Sequence, residues 1–253
     1  MKSRKPFLSV VIPAYNEEIN LRRGVLGAVE EYLSKQKYSW EVIVVDDGSK
    51  DKTVELVSEF AKSHKSFRLK RENHRGKGGT VISGMLEAKG DIVLFTDMDQ
   101  STPIDQVEKF FPKFEQGSDI VIGSRDGREG APIVRKMMAY GFIFLRSIVL
   151  RLPFKDTQCG FKAFKNEAAR AVFKKLKVFG DKTKSEGASV TAGFDLEMLY
   201  IARKMGLKIA EVSVEWYEYG ERKEVSPLKD SWEGLRDLIK IRINSLTGSY
   251  NSI

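Results

Sequence analysis

The sequence predicts an α/β protein, a mainly parallel sheet with helices on both faces. Three observations carry the prediction. Short apolar runs such as Val10-Val11-Ile12, Val42-Ile43-Val44-Val45 and Ile92-Val93-Leu94-Phe95 read as buried strands. Segments of helical period separate them. Each strand then closes on a polar cluster, at the carboxyl end where open α/β sheets bind their ligands.

In order, Phe7–Pro13 is the first strand and Asn20–Leu33 has helical spacing. Glu41–Val45 is the second strand and ends in Asp46-Asp47-Gly48-Ser49. Asp51 has the character of a helix N-cap for Thr53–Ser63. Phe67–Arg71 is a third strand, Gly76-Lys77-Gly78-Gly79 leads into a helix through Ala88, and Ile92–Phe95 is the fourth strand. Ile104–Glu115 reads as helix and Ile120–Ile122 as a fifth strand. With 253 residues and no repeat, low-complexity tract or linker, the expectation is one domain over 1–253. Its first half, to about residue 125, carries the strand-end clusters.

The lone cysteine, Cys159, rules out an internal disulfide framework and reads as a small buried packing residue. A net charge of +8 favours anionic partners, and no nucleic-acid motif is present, so nucleic acid is not expected among them. The apolar Phe7–Pro13 run behind the basic Met1–Lys5 is too short for a signal sequence or a membrane span. His64 and His74 are too far apart in sequence to suggest a metal pair and read as solvent-facing loop positions.

Thr96-Asp97-Met98-Asp99-Gln100-Ser101 follows the fourth strand directly. Two carboxylates one residue apart on extended chain project to the same side and repel unless a cation lies between them. Oxygen donors suit Mg²⁺ or Mn²⁺, which complete their shells with substrate phosphates. A bare Asp-x-Asp is more often a solvated turn; its place at a strand end is what raises it to a candidate. Pro13-Ala14-Tyr15-Asn16-Glu17-Glu18 offers an aromatic ring for a base, or simply a turn in which Asn16 caps a helix. In Asp46-Asp47-Gly48-Ser49 a carboxylate can accept from a nucleobase N–H or a ribose hydroxyl, or serve an ordinary Asp-Gly turn. Arg75-Gly76-Lys77-Gly78-Gly79-Thr80 matches neither the P-loop nor the dinucleotide fingerprint, though its helix start and Lys77 suit an anion.

Taken together, Val10 to Glu17, Val44 to Ser49 and Asp97-x-Asp99 resemble the family 2 glycosyltransferases of GT-A fold. Gly123-Ser124-Arg125 and Asp156-Thr157-Gln158-Cys159-Gly160-Phe161-Lys162 resemble the polyprenyl-phosphate branch. With Gly193 to Ala202, Ile209-Ala210-Glu211-Val212 and Leu246-Thr247-Gly248, the chain is similar to the dolichyl-phosphate β-glucosyltransferase group. The resemblance implies that Pro13, Tyr15, Glu17, Val45 and Asp47 hold the nucleoside of a nucleotide-sugar donor, a UDP-sugar by preference. It implies that Asp97 and Asp99, with Met98 between them, hold the metal on the diphosphate. Arg125 and Arg135 match acceptor-phosphate positions, and Asp156, expected with Arg125 to be catalytic, falls near where glycosyltransferases that must deprotonate a hydroxyl place a base. Asp126–Pro132 between the arginines is expected to be a closing loop. Asp195 and Glu197 lean towards structural roles, and Gly180–Gly187 has no assigned one.

The expected reaction is displacement at the sugar C1 by a phosphate oxygen of dolichyl or another polyprenyl phosphate. The second pKa of a phosphate monoester is near ~6, so the acceptor is already largely dianionic at neutral pH. Such an acceptor needs a membrane surface. Met137–Leu152 and Trp232–Leu246 are apolar runs with interspersed arginines, too short or too charged to span and suited to lie in an interface. The expected state is peripheral, on the cytoplasmic face of a membrane, with a homodimer as one way to strengthen attachment. GDP-mannose as donor, a soluble family 2 transferase acting on a saccharide, and a non-enzymatic nucleotide-binding module are the competing readings.

Overall fold

In the computed structural model, residues 5–125, 133–177, 192–217 and 227–250 are described. Among them the strands are β1 (Leu8–Ala14), β2 (Trp40–Asp46), β3 (Phe67–Arg71), β4 (Ile92–Phe95), β5 (Ile120–Arg125), β6 (Lys162–Lys165) and β7 (Ile209–Val214). The helices are α1 (Glu18–Arg22), α2 (Val25–Ser34), α3 (Thr53–Ser63), α4 (Gly76–Glu87), α5 (Phe111–Glu115), α6 (Ile133–Val149), α7 (Asn166–Phe173), α8 (Ala192–Lys204) and α9 (Pro227–Leu246). The strands form one sheet in the order β3-β2-β1-β4-β6-β5-β7. Both halves of the chain contribute strands to it.

The period of two decides the two cores. Val11 and Ile43 face one side with Val81 and Met85 of α4, while Val10, Ile12, Val42 and Val44 face the other with Leu26, Val29 and Val57 of α2 and α3. All of these side chains are buried, and each contributes roughly 1.5–3 kcal/mol when fully removed from water. Gly84 lets α4 come close to the sheet: a Cβ there would stand 2.3 Å from Val11 Cγ1.

Two expected helices are broken, each for a local reason. The run Asn20–Leu33 divides into α1 and α2 because Gly24 takes φ +82°, a left-handed conformation that ends a helix. The run Ile104–Glu115 starts as a 3₁₀ turn over Ile104–Lys109 and restarts as α5. Pro112 sits in the first turn of α5, where its missing N–H costs least.

The strands β6 and β7 had no counterpart in the sequence reading, and β6 decides the site. It runs antiparallel to β4 and β5, with Phe95 opposite Lys162 and Ile120 opposite Phe164. Its first residue therefore lies beside the last residue of β4. The motif from Asp156 to Phe161, which leads into β6, is delivered to the carboxyl ends of the parallel strands. The order of strands reverses between β1 and β4, and that crevice is where doubly wound sheets place their ligands.

Candidate active site

The loops after β1 and β2 are laced together by backbone groups. Asn16, at φ +55°, donates its N–H to Ser49 Oγ at 2.9 Å, and its Oδ1 accepts Lys50 N at 2.8 Å. Asn16 thus ties two loops rather than capping α1. Glu17 N donates to Thr53 Oγ1 at 2.7 Å. Asp51 Oδ1 accepts Thr53 N at 2.9 Å, but Lys52, not Asp51, takes the N-cap position of α3, one residue later than the sequence suggested. Asp46 accepts from Gly48 N at 3.1 Å and Ser49 N at 3.2 Å. Pro13 is buried and pairs in register with Val45, whose side chain is wholly buried, near the carboxyl ends of β1 and β2.

Asp47 has a second occupation. Its Oδ1 accepts Arg75 N at 2.8 Å and its Oδ2 accepts Gly76 N at 2.9 Å, so it pins the first turn of α4. His74 Nδ1 lies 2.9 Å from the same Oδ2, and the His74 ring stacks on Tyr15 at 4.4 Å between centroids. The expectation of solvent-facing histidines is corrected here. His74 bridges the two side chains assigned to the nucleoside, and His64 stacks on Phe60 at 3.9 Å. No spacing rule announces a histidine that acts between two other strand-end loops.

After β4 the chain turns at once. Thr96 N still bonds Val11 O at 3.0 Å, and Met98-Asp99 then form a turn with Gln100 at φ +51°. The acidic pair therefore sits on a turn, not on extended chain as the sequence reading assumed. Met98 buries its side chain in the core, leaving only its backbone between the carboxylates. Asp99 Oδ1 accepts Ser101 N at 2.8 Å. Asp97 Oδ1 lies 2.5 Å from Lys77 Nζ. Burial alone would lower the Lys77 pKa, but the charges of Asp97, Asp195 and Asp99 outweigh it and raise it. Glu17 completes an acidic group. Burial raises its pKa above the ordinary value, and the charges of Asp99 and Asp97 add to that against a hydrogen bond from Asn20. The negative charge of Asp97 and Asp99 thus reaches Glu17, and a hard divalent cation at the acidic pair would offset it. Among the described residues no group of three or more His, Cys, Asp or Glu is placed to hold a metal ion, so protein side chains alone would supply at most part of its shell.

Gly160 brings the second motif against the first. A Cβ at Gly160 would stand 2.0 Å from Asp97 Oδ2, so only glycine admits the carboxylate there. Four residues earlier, Asp156 accepts Arg125 Nε at 2.6 Å and Arg125 Nη2 at 3.0 Å in a two-pronged pair. Burial pushes the Asp156 carboxyl up, yet the Arg125 hydrogen bonds and charge hold it below the ordinary range. A carboxylate held ionised in this way is a weak base. The loop is fixed from three further directions. Glu211 accepts Asp156 N at 2.8 Å and Lys155 N at 3.0 Å. Arg146, buried on α6, donates to Thr157 Oγ1 at 2.6 Å and to Phe154 O. Lys162, wholly buried, donates to Asp195 Oδ1 at 2.7 Å and to Cys159 O.

These contacts settle several smaller expectations. Arg146 points inward and so does not add to a basic outer face of α6. Burial raises the Cys159 thiol pKa, in keeping with a packing role. Glu197 accepts Tyr250 OH at 2.6 Å and Lys177 N at 2.8 Å, a structural use. Arg135 lies on α6 with its side chain outside the described residues, as are 126–132 and 180–187.

Residues 9–173 match the profile of glycosyl transferase family 2. The chain belongs to that family. It is a glycosyltransferase with the GT-A architecture. This family 2 enzyme is 36% identical over 96% of its length to the dolichyl-phosphate β-glucosyltransferase of Dictyostelium discoideum, 76% of which is covered. It is 34% identical over 96% of its length to the human dolichyl-phosphate β-glucosyltransferase, with 77% of that chain covered. In fold it resembles glucosyl-3-phosphoglycerate synthase from Mycobacterium tuberculosis in complex with Mn²⁺, uridine diphosphate and glucosyl-3-phosphoglycerate. There the TM-score is 0.60 at 18% identity, covering 93% of this chain and 80% of that one.

Proposed function

We propose that the enzyme transfers a sugar, glucose from UDP-glucose by preference, to the phosphate of dolichol or another polyprenol. The observation that carries this reading is the meeting of Asp97 with Gly160, which sets the acidic pair beside the motif that holds Arg125. The names of the relatives supply the acceptor and the sugar; GDP-mannose is the competing donor. Tyr15, Glu17 and Asp47 hold the nucleoside, with Pro13 and Val45 as the floor. Asp97 and Asp99 would hold Mg²⁺ or Mn²⁺ together with the donor phosphates, and Lys77, 2.5 Å from Asp97, adds positive charge nearby. When bound, the cation supplies neutralisation of charge on the departing diphosphate.

The chain's own residues do the rest by alignment. Arg125 grips the acceptor phosphate with the N–H groups that Asp156 leaves over, and Arg135 is assigned as a second phosphate ligand. A phosphate oxygen bonds to C1 as the bond from C1 to the diphosphate oxygen breaks, which inverts the anomeric centre. The dianionic acceptor has no proton to lose, so no base is needed. Asp156 accordingly serves to hold Arg125 in plane, which its lowered pKa suits.

A lipid acceptor requires a surface, and α6 with α9 offers one. The two helices meet at Phe142, whose ring would stand 3.2 Å from a Cβ at Gly234. Phe144 and Ile148 on α6 and Ile239, Ile243 and Leu246 on α9 are exposed, with exposed Lys240 and Arg242 among them. Among the described residues no helix is long and apolar enough to cross a membrane. This face lies in the interface in our reading, on the cytoplasmic side.

The test is a transfer assay in detergent micelles with Mg²⁺ or Mn²⁺ and a polyprenyl phosphate, offering UDP-glucose, UDP-N-acetylglucosamine and GDP-mannose separately. Lipid-linked product from UDP-glucose is expected. Product only from another donor would overturn the sugar, and donor hydrolysis without lipid product would overturn the acceptor.

A further inference from the structure

We propose that Trp216 is a positioning residue for the acceptor. Its ring lies beneath the Arg125 guanidinium carbon and steadies it, and the strap that carries it, Glu215 to Tyr217, fastens that arginine to the loop of the acidic pair. The proposal rests on Arg125 as the acceptor-phosphate ligand.

Arg125 is held by two different groups. Asp156 takes Nε and Nη2. Arg125 Cζ also lies over the Trp216 ring, 5.8 Å from its centroid, within the reach of a cation–π contact. An edge held by a carboxylate leaves a guanidinium free to rock about that edge. The second contact, with the indole, restricts the rocking, and the remaining Nη1 edge is then aimed at one place. For an in-line displacement the aim matters, since a misplaced phosphate loses alignment with C1.

Trp216 reaches this position because Val214, the last residue of β7, pairs with Arg125, the last of β5. Strand β7 ends at Val214, and the chain then crosses towards the end of β4. Glu215 N donates to Gln106 Oε1 at 3.1 Å, and Tyr217 N donates to Ser101 O at 2.7 Å. Tyr217 OH closes back on Glu215 Oε2 at 2.9 Å. Trp216 is thus flanked by two main-chain N–H donors, one bonded to the Gln106 side chain and one to the Ser101 carbonyl, both in the segment that follows the acidic pair. Ser101, which takes the strap through its carbonyl, also gives its N–H to Asp99. The same residue therefore anchors the strap and a proposed metal ligand, and Arg125 inherits its reference frame from the donor loop.

The test compares Trp216→Leu and Trp216→Phe with the unsubstituted enzyme, measuring KM for polyprenyl phosphate and for the nucleotide sugar separately. Trp216→Leu is expected to raise the acceptor KM about 3- to 30-fold, with the donor KM unchanged, which also shows that the fold is intact. Trp216→Phe is expected to restore most of the loss. Site-specific fluorinated tryptophan at 216 keeps the shape and weakens the negative ring face, and the acceptor KM should climb with each added fluorine. An unchanged acceptor KM in Trp216→Leu, equal rises in both KM values, or indifference to fluorination would each overturn the proposal. If the unsubstituted enzyme makes no product with polyprenyl phosphate, the functional reading fails first and the proposal falls with it.

Discussion

Around β1 and β2, the polar residues are held by backbone: Asp46, Asp47 and Asn16 each accept from main-chain N–H groups of neighbouring turns. Around Arg125 the fixing groups are side chains of distant elements: Asp156 pairs with Arg125, Glu211 accepts from the Asp156 main chain, and Arg146 and Lys162 hold the loop. The first region is set once its strands pair. The second depends on side chains that come from β5, β6, β7 and α6, and it forms only when distant segments have docked. Charged side chains that are half or wholly buried need each other, because removing one leaves the other desolvated and unpaired. We assign the backbone-held region to the donor and the side-chain-held region to the acceptor. The donor half should therefore lose function to substitutions while keeping its fold, whereas the acceptor half should lose both together.

The largest effect is expected at the acidic pair. Asp99→Ala should cut transfer at least about 100- to 1,000-fold, the scale of losing one charge-stabilising group, with little change in melting temperature. Full activity of that variant in the presence of a chelator would remove the metal from the account. A smaller but double effect is expected at Arg125. Arg125→Lys should lower kcat/KM for the lipid phosphate about 10- to 100-fold, because an ammonium cannot serve Asp156 and a phosphate with parallel pairs. It should also destabilise the protein in a pH-dependent way. Asp156 titrates below its ordinary 3.8 in the folded protein, so the pair's stabilisation is present above 3.8 and is lost as pH falls through the lower folded value. The difference in urea midpoint between wild type and variant should narrow over that acid window; a constant difference would contradict the pairing.

The smallest effect has the opposite sign. The Glu17 carboxyl is raised above 4.5 by burial and by its acidic neighbours, so the folded protein binds its proton more tightly than the unfolded chain does. Its contribution to stability falls as pH rises from 4.5 through the raised value. Glu17→Gln should raise the metal-free melting temperature by about 1–3 °C at pH 7 and leave it nearly unchanged at pH 4, while weakening donor binding. A lower melting temperature at pH 7 would break the donor-side half of the comparison.

The same contrast explains what the sequence made legible. Thr53–Ser63, Phe67–Arg71 and Ile92–Phe95 were read to the residue because their periodicity and flanking turns are local. Asp47 and the acidic pair stood out because a strand end is itself a local signal. Strand β6 escaped because Lys162–Lys165 carries charge at both ends and gains its place only by pairing with β4 and β5. Glu211, Arg146 and Trp216 escaped as functional positions for the same reason, since each acts on a partner far away in sequence. The outward face of α6 was legible as amphipathic, but the inward turn of Arg146 was not, because it answers to Thr157 and to carbonyls of a loop that no helical period encodes.

The central claim is that a charged phosphate, already deprotonated, is the nucleophile and that Arg125 and Asp156 exist to align it. The most direct measurement is a side-by-side transfer assay with a polyprenyl phosphate and the polyprenol of the same chain length, at one donor and one cation concentration. The account predicts lipid-linked product from the phosphate and none above background from the alcohol. Comparable product from both would mean that Asp156 works as a base on a hydroxyl, and the assignment of Arg125 to an acceptor phosphate would be wrong.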